Sequence, residues 1–272
     1  MNCIKIFCKR DFATDSYFDK FLLIFLMNNK TAIFIPARLA STRLPNKPLA
    51  NIYGKTMIRR VYEKAVEANL GPVFVACDGY EIADHVVDFG GRAIITDPNL
   101  PSGTDRIHAA LQLAEEKFDI IVNLQGDLPN IDPQVICAAA KALLHRDCDI
   151  ATVASKIKNR AEITNPNVVK IAVAFDKDNC GNALYFSRSA IPYSKENVGD
   201  YFHHIGIYAY KKSALEKFIA LKPSILEQRE SLEQLRALEN NMKIAVKLVD
   251  AHPLSVDTQE DLEIITKIIA DQ

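Results

Sequence analysis

The 272-residue sequence predicts an α/β fold, a mostly parallel, Rossmann-like sheet flanked by helices and carrying a β-rich insert. Three observations predict it. Short, almost wholly apolar runs rich in β-branched residues recur along the first half, as strands covered on both faces require. Stretches of helix length with apolar residues at helical spacing separate them. After about Asn165 the pattern changes to extended segments with little helix between them.

In order, the expected strands are residues 31–36 (TAIFIP), 73–77 (VFVAC), 92–96 (RAIIT) and 120–124 (IIVNL). Helical periodicity occupies 57–68, 81–89 and 106–117. Extended segments at 168–175, 183–186 and 205–210 make up the insert, which spans about 165–210. Helical spacing returns at 227–240 and 260–269, around a strand at 244–249. No repeat, low-complexity tract or Gly/Ser linker divides the chain, so residues 30–272 read as one embellished domain.

Residues 1–29 read differently. The FLLIFL run at 21–26 is too short for a bilayer span, which needs about 20 apolar residues. Lys5, Lys9 and Arg10 precede it as in a signal segment, yet Asp11, Asp15 and Asp19 interrupt and no small-residue cleavage site follows. Met27 stands just before the first strand. Translation is therefore expected to start there, with residues 1–29 an unstructured extension or a mis-set start.

Apolar residues at 49% and charged residues at 25% describe an ordinary globular protein, and a net charge of -1 excludes a global basic field for nucleic acid. Six cysteines, Cys3, Cys8, Cys77, Cys137, Cys148 and Cys180, form no C-x-x-C pair and no zinc spacing. Reduced thiols in a cytoplasmic protein with no membrane association are the expectation.

In open α/β sheets ligands bind beyond the carboxyl ends of the strands, so the segment after the first strand carries most weight. It reads IFIPARLASTRLPNKPL over residues 33–49. Arg38, Arg43 and Lys47 fall within ten residues, Ser41 and Thr42 lie between them, and Pro36, Pro45 and Pro48 restrict the backbone. Forked guanidinium donors, an ammonium and hydroxyls are what a triphosphate needs. A solvated basic surface loop is the plainer reading, and the position after a buried strand argues against it. The loop matches neither the dinucleotide fingerprint nor the P-loop pattern.

Two acids complete the candidate chemistry. Asp127 follows Gly126 at the end of the fourth strand, well placed for Mg²⁺, although it could simply open a turn before Pro129. Asp257 precedes a helix starting near Thr258, where it could equally serve as the cap. Magnesium takes one or two carboxylates plus substrate phosphates, so two acids suffice.

Together these residues resemble the 3-deoxy-manno-octulosonate (Kdo) cytidylyltransferases. The resemblance covers residues 32–269 and rests on PAR, ASTRLP and KPL within residues 36–49, SGTDR at 102–106, QGD at 125–127 and ALYFSR at 183–188. HIGIYAY at 204–210, LEQLR at 232–236 and VDTQEDL at 256–262 complete it. One departure is Leu128, where many members of the family carry Glu.

The resemblance implies a fold of the nucleotide-diphospho-sugar transferase type. It further implies CMP transfer from CTP to Kdo with release of pyrophosphate, activating the sugar for lipopolysaccharide synthesis. By resemblance, Pro36, Ala37, Arg38, Ser41, Arg43, Lys47 and Gln125 bind CTP. Arg38, Lys47, Asp127 and Asp257 act in catalysis, and the two aspartates hold Mg²⁺. Arg106, Arg188, His204, Tyr208, Glu233 and Gln234 contact the sugar, and the insert pairs two subunits into a homodimer. A sibling enzyme for another acidic sugar, such as sialic acid or 8-amino-Kdo, and a non-catalytic nucleotide-binding module are the alternatives. The first-loop signature opposes sialic acid, and both acids together favour catalysis.

Overall fold

Strand β1 (Thr31–Ala37) shows why the sheet is covered on both sides. Ile33, Ile35 and Ala37 enter one hydrophobic cluster, whereas Ala32 and Phe34 enter the other. Period-two alternation with every position from Ala32 to Ala37 apolar produces this double burial. The computed structural model describes residues 29–41, 43–145, 147–195 and 199–271. Residues 1–28 of the expected extension, with the FLLIFL run, Met27, Cys3 and Cys8, lie outside the described residues, as does Thr42.

The main sheet also contains β4 (Val73–Cys77), β5 (Ala93–Ile95), β6 (Ile120–Asn123) and β7 (Ile150–Lys156). β8 (Lys170–Val173), β9 (Cys180–Ser187), β10 (Phe202–Lys211) and β11 (Ile244–Val249) complete it. Its order is β5-β4-β1-β6-β10-β7-β11-β9-β8, while β2 (Asn51–Ile52) and β3 (Lys55–Thr56) form a separate hairpin.

The expected mostly parallel sheet is mixed. β5, β4, β1 and β6 are parallel neighbours, as are β7 and β11. β10 runs antiparallel between β6 and β7, and β9 is antiparallel to β8 and β11. For β8 and β9 the cause is connection length. Parallel neighbours need a long crossover, and β8 returns into β9 through a tight turn in which Asp176 N donates to Cys180 O. The strands expected at 168–175, 183–186 and 205–210 are thus present as β8 to β10, and all three join the main sheet.

Helices α1 (Met57–Glu67), α2 (Tyr80–Asp88) and α4 (Pro133–His145) cover one face. The other is covered by α3 (Gly103–Leu113), α6 (Lys212–Ala220) and α8 (Leu235–Glu239). The one-turn α5 (Ala161–Thr164) lies before β8. The helix expected over 227–240 divides into α7 (Ile225–Glu230) and α8, because Ser231 adopts a left-handed backbone at φ 52° and ends α7. No helix among the described residues is long and apolar enough to cross a membrane.

The C-terminal α9 (Gln259–Ala270) closes a small third cluster of Leu44, Ile52, Met57, Val256 and Ile265. Val256 is fully buried there, and its N–H donates to Asp127 O at 3.0 Å. Leu254 N donates to Asn130 Oδ1 at 3.1 Å. These contacts pin the loop before α9 against the loop after β6. Val256→Ala is expected to lower stability by about 2 kcal/mol through the cavity it leaves, read as a fall in the urea midpoint. An unchanged midpoint would mean that the backbone bonds alone hold the loop.

Candidate active site

The loop after β1 is shaped by its own short-range bonds. Ser41 N donates to Leu39 O at 2.7 Å, and Leu39 N donates to Asp78 Oδ2 at 3.1 Å. Buried Leu44 and Pro48 fasten the loop to the body of the protein. Asn46, left-handed at φ 53°, turns the chain into a single 3₁₀ turn, Lys47–Leu49. That turn aims Lys47 inward.

Lys47 Nζ lies 2.9 Å from Asp127 Oδ2 and 2.9 Å from Asp257 Oδ1. Arg43 Nη2 reaches the other oxygen of Asp257 at 3.2 Å. Burial by itself pulls the Lys47 ammonium down, but Asp127 and Asp257 outweigh it and hold it above the ordinary lysine range. The lysine is therefore charged throughout the neutral range and neutralises a carboxylate pair drawn from distant parts of the chain.

Gly126 accounts for the position of Asp127. A Cβ on Gly126 would meet Pro36 O at 3.0 Å, so the end of β6 approaches β1 this closely only without a side chain. Leu128 is buried in the main core, an environment suited to an apolar residue. Asp257 is not the cap of α9. Thr258 caps α9, its hydroxyl accepting from Asp261 N at 3.2 Å while Asp261 Oδ2 accepts from Thr258 N. The carboxylate of Asp257 is left free to face Lys47.

Two cavities meet at these acids. The first, about 320 Å³, is lined by Pro36, Ala37, Arg38, Ser41, Arg43, Lys47 and Gln125, all expected on the nucleotide side, with Asp127 and Asp257. The second, about 600 Å³, shares Arg43, Gln125, Asp127 and Asp257 with the first. It extends to His203, His204, Gly206, His252, Asn165 and Asn167. Between Ile205 and Tyr208 the β10–β7 register slips, and this irregularity sets Gly206 on the cavity wall beside Gln125.

The residues expected on the sugar side are dispersed. His204 lines the second cavity, whereas Arg106 lines the first, its Nη1 donating to Thr96 Oγ1 at 2.7 Å and Asp97 O at 3.2 Å. Burial lowers the Arg106 guanidinium from its usual range. Glu233 lines a third cavity of about 510 Å³ and accepts from Thr104 Oγ1 at 2.6 Å. Burial pushes its carboxyl upward. Arg188, Tyr208 and the buried Gln234 line none of these three cavities. The Arg188 guanidinium donates to Glu230 O, Pro166 O and Ser231 O at 2.8, 3.0 and 3.3 Å.

Sequence reading missed Ser102 and Gly103 in the first cavity and Asn165, Asn167, His203 and His252 in the second. Ser102 was within reach of local signals. It caps α3, accepting from Asp105 N at 3.1 Å, and the Ser-x-x-Asp spacing marks such a cap. Gly103 follows it in the same helix start, whereas the turn with Asn165 and Asn167, His203 on β10 and the loop with His252 share no local pattern.

Asp127 and Asp257, converging on one cation, fit a hard divalent ion that completes its shell with phosphate oxygens. Among the described residues no group of three or more His, Cys, Asp or Glu could hold a metal without such help.

A basic turn beyond the strand ends, facing paired acids, suits a phosphate-bearing substrate, and the chain is of the nucleotidyltransferase class. Residues 32–244 match the cytidylyltransferase family. A relative from Paramagnetospirillum magneticum, a 3-deoxy-manno-octulosonate cytidylyltransferase, is 51% identical over 85% of this chain and 94% of its own. One of the same name from Bartonella henselae is 52% identical over 88% and 98%. The CTP complex of CMP:2-keto-3-deoxy-manno-octonic acid synthetase superposes with a TM-score of 0.82 at 39% identity, covering 89% of this chain and 99% of that one. The chain belongs to the 3-deoxy-manno-octulosonate cytidylyltransferase family. At 14% identity and a TM-score of 0.58, 4-diphosphocytidyl-2C-methyl-D-erythritol synthase from Anaerococcus prevotii shares the fold.

The two adjacent histidines make the site sensitive to acid. Thr152 Oγ1 donates to Ile207 O at 2.7 Å, so His204 Nε2, 3.0 Å away, carries the proton and donates to that hydroxyl. Burial, then His203, pushes the His204 imidazole down to about 3. Burial, then His252 and Lys170, takes His203 down to about 4. Both are neutral in the folded protein, while an unfolded chain protonates them near pH 6.5. Their contribution is complete above pH 6.5 and is lost as the pH falls toward their folded values. Stability measured by urea unfolding should fall by about 1–2 kcal/mol per histidine between pH 7.5 and pH 5, and His204→Gln should reduce that slope. A slope unchanged in the variant would show that His204 is not neutral and buried as described.

Proposed function

We propose that the protein transfers CMP from CTP to 3-deoxy-D-manno-octulosonate and releases pyrophosphate. The observation that carries this reading is Lys47 bridging Asp127 and Asp257 where the two cavities join. The first cavity receives the nucleotide. Arg38, Arg43 and Lys47 take its phosphate oxygens, and the end of β1 with Gln125 lines the path to the base. The second receives the acidic sugar, with His204 as its best-placed contact. Family resemblance alone extends the sugar contacts to Arg106, Arg188, Tyr208, Glu233 and Gln234, none of which lines the second cavity.

The sugar's anomeric hydroxyl attacks the α-phosphorus, and the bond to pyrophosphate breaks. No protein nucleophile is required, so the chain's contribution is positioning and charge. Magnesium held by Asp127 and Asp257 would supply charge neutralisation and orient the phosphates. Lys47 and the two arginines hold the triphosphate in register with the second cavity, so that a near-attack arrangement exists before reaction. The family reading brings with it a homodimer paired through the strands of 165–210, and a cytoplasmic setting.

The test is pyrophosphate release with CTP, Mg²⁺ and a panel of Kdo, 8-amino-Kdo and sialic acid. Turnover with Kdo is expected, and CTP binding without release on any sugar would sink the reading. Asp127→Asn should lower kcat by roughly 10² or more while the protein keeps its fold, as loss of a major charge-stabilising group does. Near-normal turnover in that variant would remove Asp127 from the site's chemistry.

A further inference from the structure

Lys170 is the one lysine among the described residues whose surface is fully buried. It lies on β8, opposite Ser187 of β9 and His203 of β10. An ammonium removed from water is expensive unless it is hydrogen-bonded, and an apolar residue would fill the same space at less cost. Its Nζ folds back and donates to Asn165 O at 2.8 Å and Val168 O at 2.6 Å. Both carbonyls belong to the turn that precedes the strand.

A second cation grips the same turn. Arg188 Nη1 donates to Pro166 O at 3.0 Å, while Nε and Nη2 hold Glu230 O and Ser231 O at the end of α7. Within the turn, Val168 N donates to Asn165 O and Asn167 N to Asn165 Oδ1. His204 N donates to Val169 O at 2.8 Å just beyond it. Three carbonyls of residues 165–168 are therefore held by charged donors. Asn165, Asn167 and Val168 form one wall of the second cavity, and neither Lys170 nor Arg188 lines it.

We infer that Lys170 is a positioning residue for the acceptor sugar: by clamping the 165–168 turn from behind, it fixes the cavity wall that the sugar meets. This rests on the second cavity being the acceptor site. The geometry explains why charge is used. Carbonyl oxygens facing inward need donors, and one ammonium satisfies two of them from a single point, which no apolar side chain can do. The nucleotide cavity shares no residue with the turn, so its affinity is independent of the clamp.

Steady-state pyrophosphate release tests this with Lys170→Met, which keeps the volume and removes the donors, and with Pro166→Gly, which loosens the exposed turn without touching the core. Lys170→Met should raise the KM for Kdo by about 10-fold or more and leave the KM for CTP within about twofold, since only one cavity wall is released. Pro166→Gly should raise the Kdo KM by about threefold with the melting temperature unchanged. Equal rises in both KM values, tracking a loss of stability, would make Lys170 merely structural and overturn the inference. So would an unmoved Kdo KM in Pro166→Gly, which decides the matter alone if Lys170→Met does not fold. Wild-type turnover with unmoved variants refutes only the clamp, whereas no wild-type turnover refutes the acceptor assignment as well.

Discussion

Two carboxylates on one cation hold this site together. Asp127 and Asp257 approach within hydrogen-bonding distance of the same nitrogen, and without a positive charge between them they would repel in a partly desolvated setting. Lys47 resolves that conflict. Burial works against its charge, the acids favour it, and the acids prevail. Arg43 adds a second cation on the outer side of Asp257. A pair of acids arranged in this way suits a cation, and the basic turn beside it offers donors that suit phosphate oxygens.

The rest of the molecule places those three side chains. β1 and β6 pair in parallel, so the loops after them emerge on the same edge of the sheet. Gly126 lets those ends pack closely, and Pro36 takes the space. The second acid-bearing segment arrives from the far end of the chain, where fully buried Val256 anchors it and α9 starts immediately after. Thr258 takes over helix capping, which releases Asp257 for the site. The antiparallel β10 then supplies the second cavity's wall, its irregularity beside Gly206 turning the strand toward Gln125.

Much of this was legible before any coordinates. β1, β4, β6 and β11 stand out because each is a largely apolar run, and the basic loop is recognisable by its place after the first of them. Among the longer elements, α4, β7 and α6 were not read. Alanines and other apolar residues make up most of α4, which blurs its amphipathic period, and Thr152 and Ser155 break the apolar run of β7. Strand direction is a long-range property, so β10 entering antiparallel between β6 and β7 had no local signature. At the site, Asp257 could not be separated from Thr258 as the cap until the Asp261 bonds were seen. The second cavity is assembled from loops far apart in sequence, which is why its asparagines and His252 escaped notice while His204, carried by a motif, did not.

The proposed reaction requires a divalent cation between Asp127 and Asp257 when nucleotide is bound. A crystal structure with CTP and Mn²⁺ in place of Mg²⁺ tests this most directly, because anomalous scattering locates the metal independently of the refined side chains. A manganese peak coordinated by both carboxylates, with Lys47 moved onto a phosphate oxygen, is the predicted result. A peak bound elsewhere, or both carboxylates turned away from the metal, would contradict it.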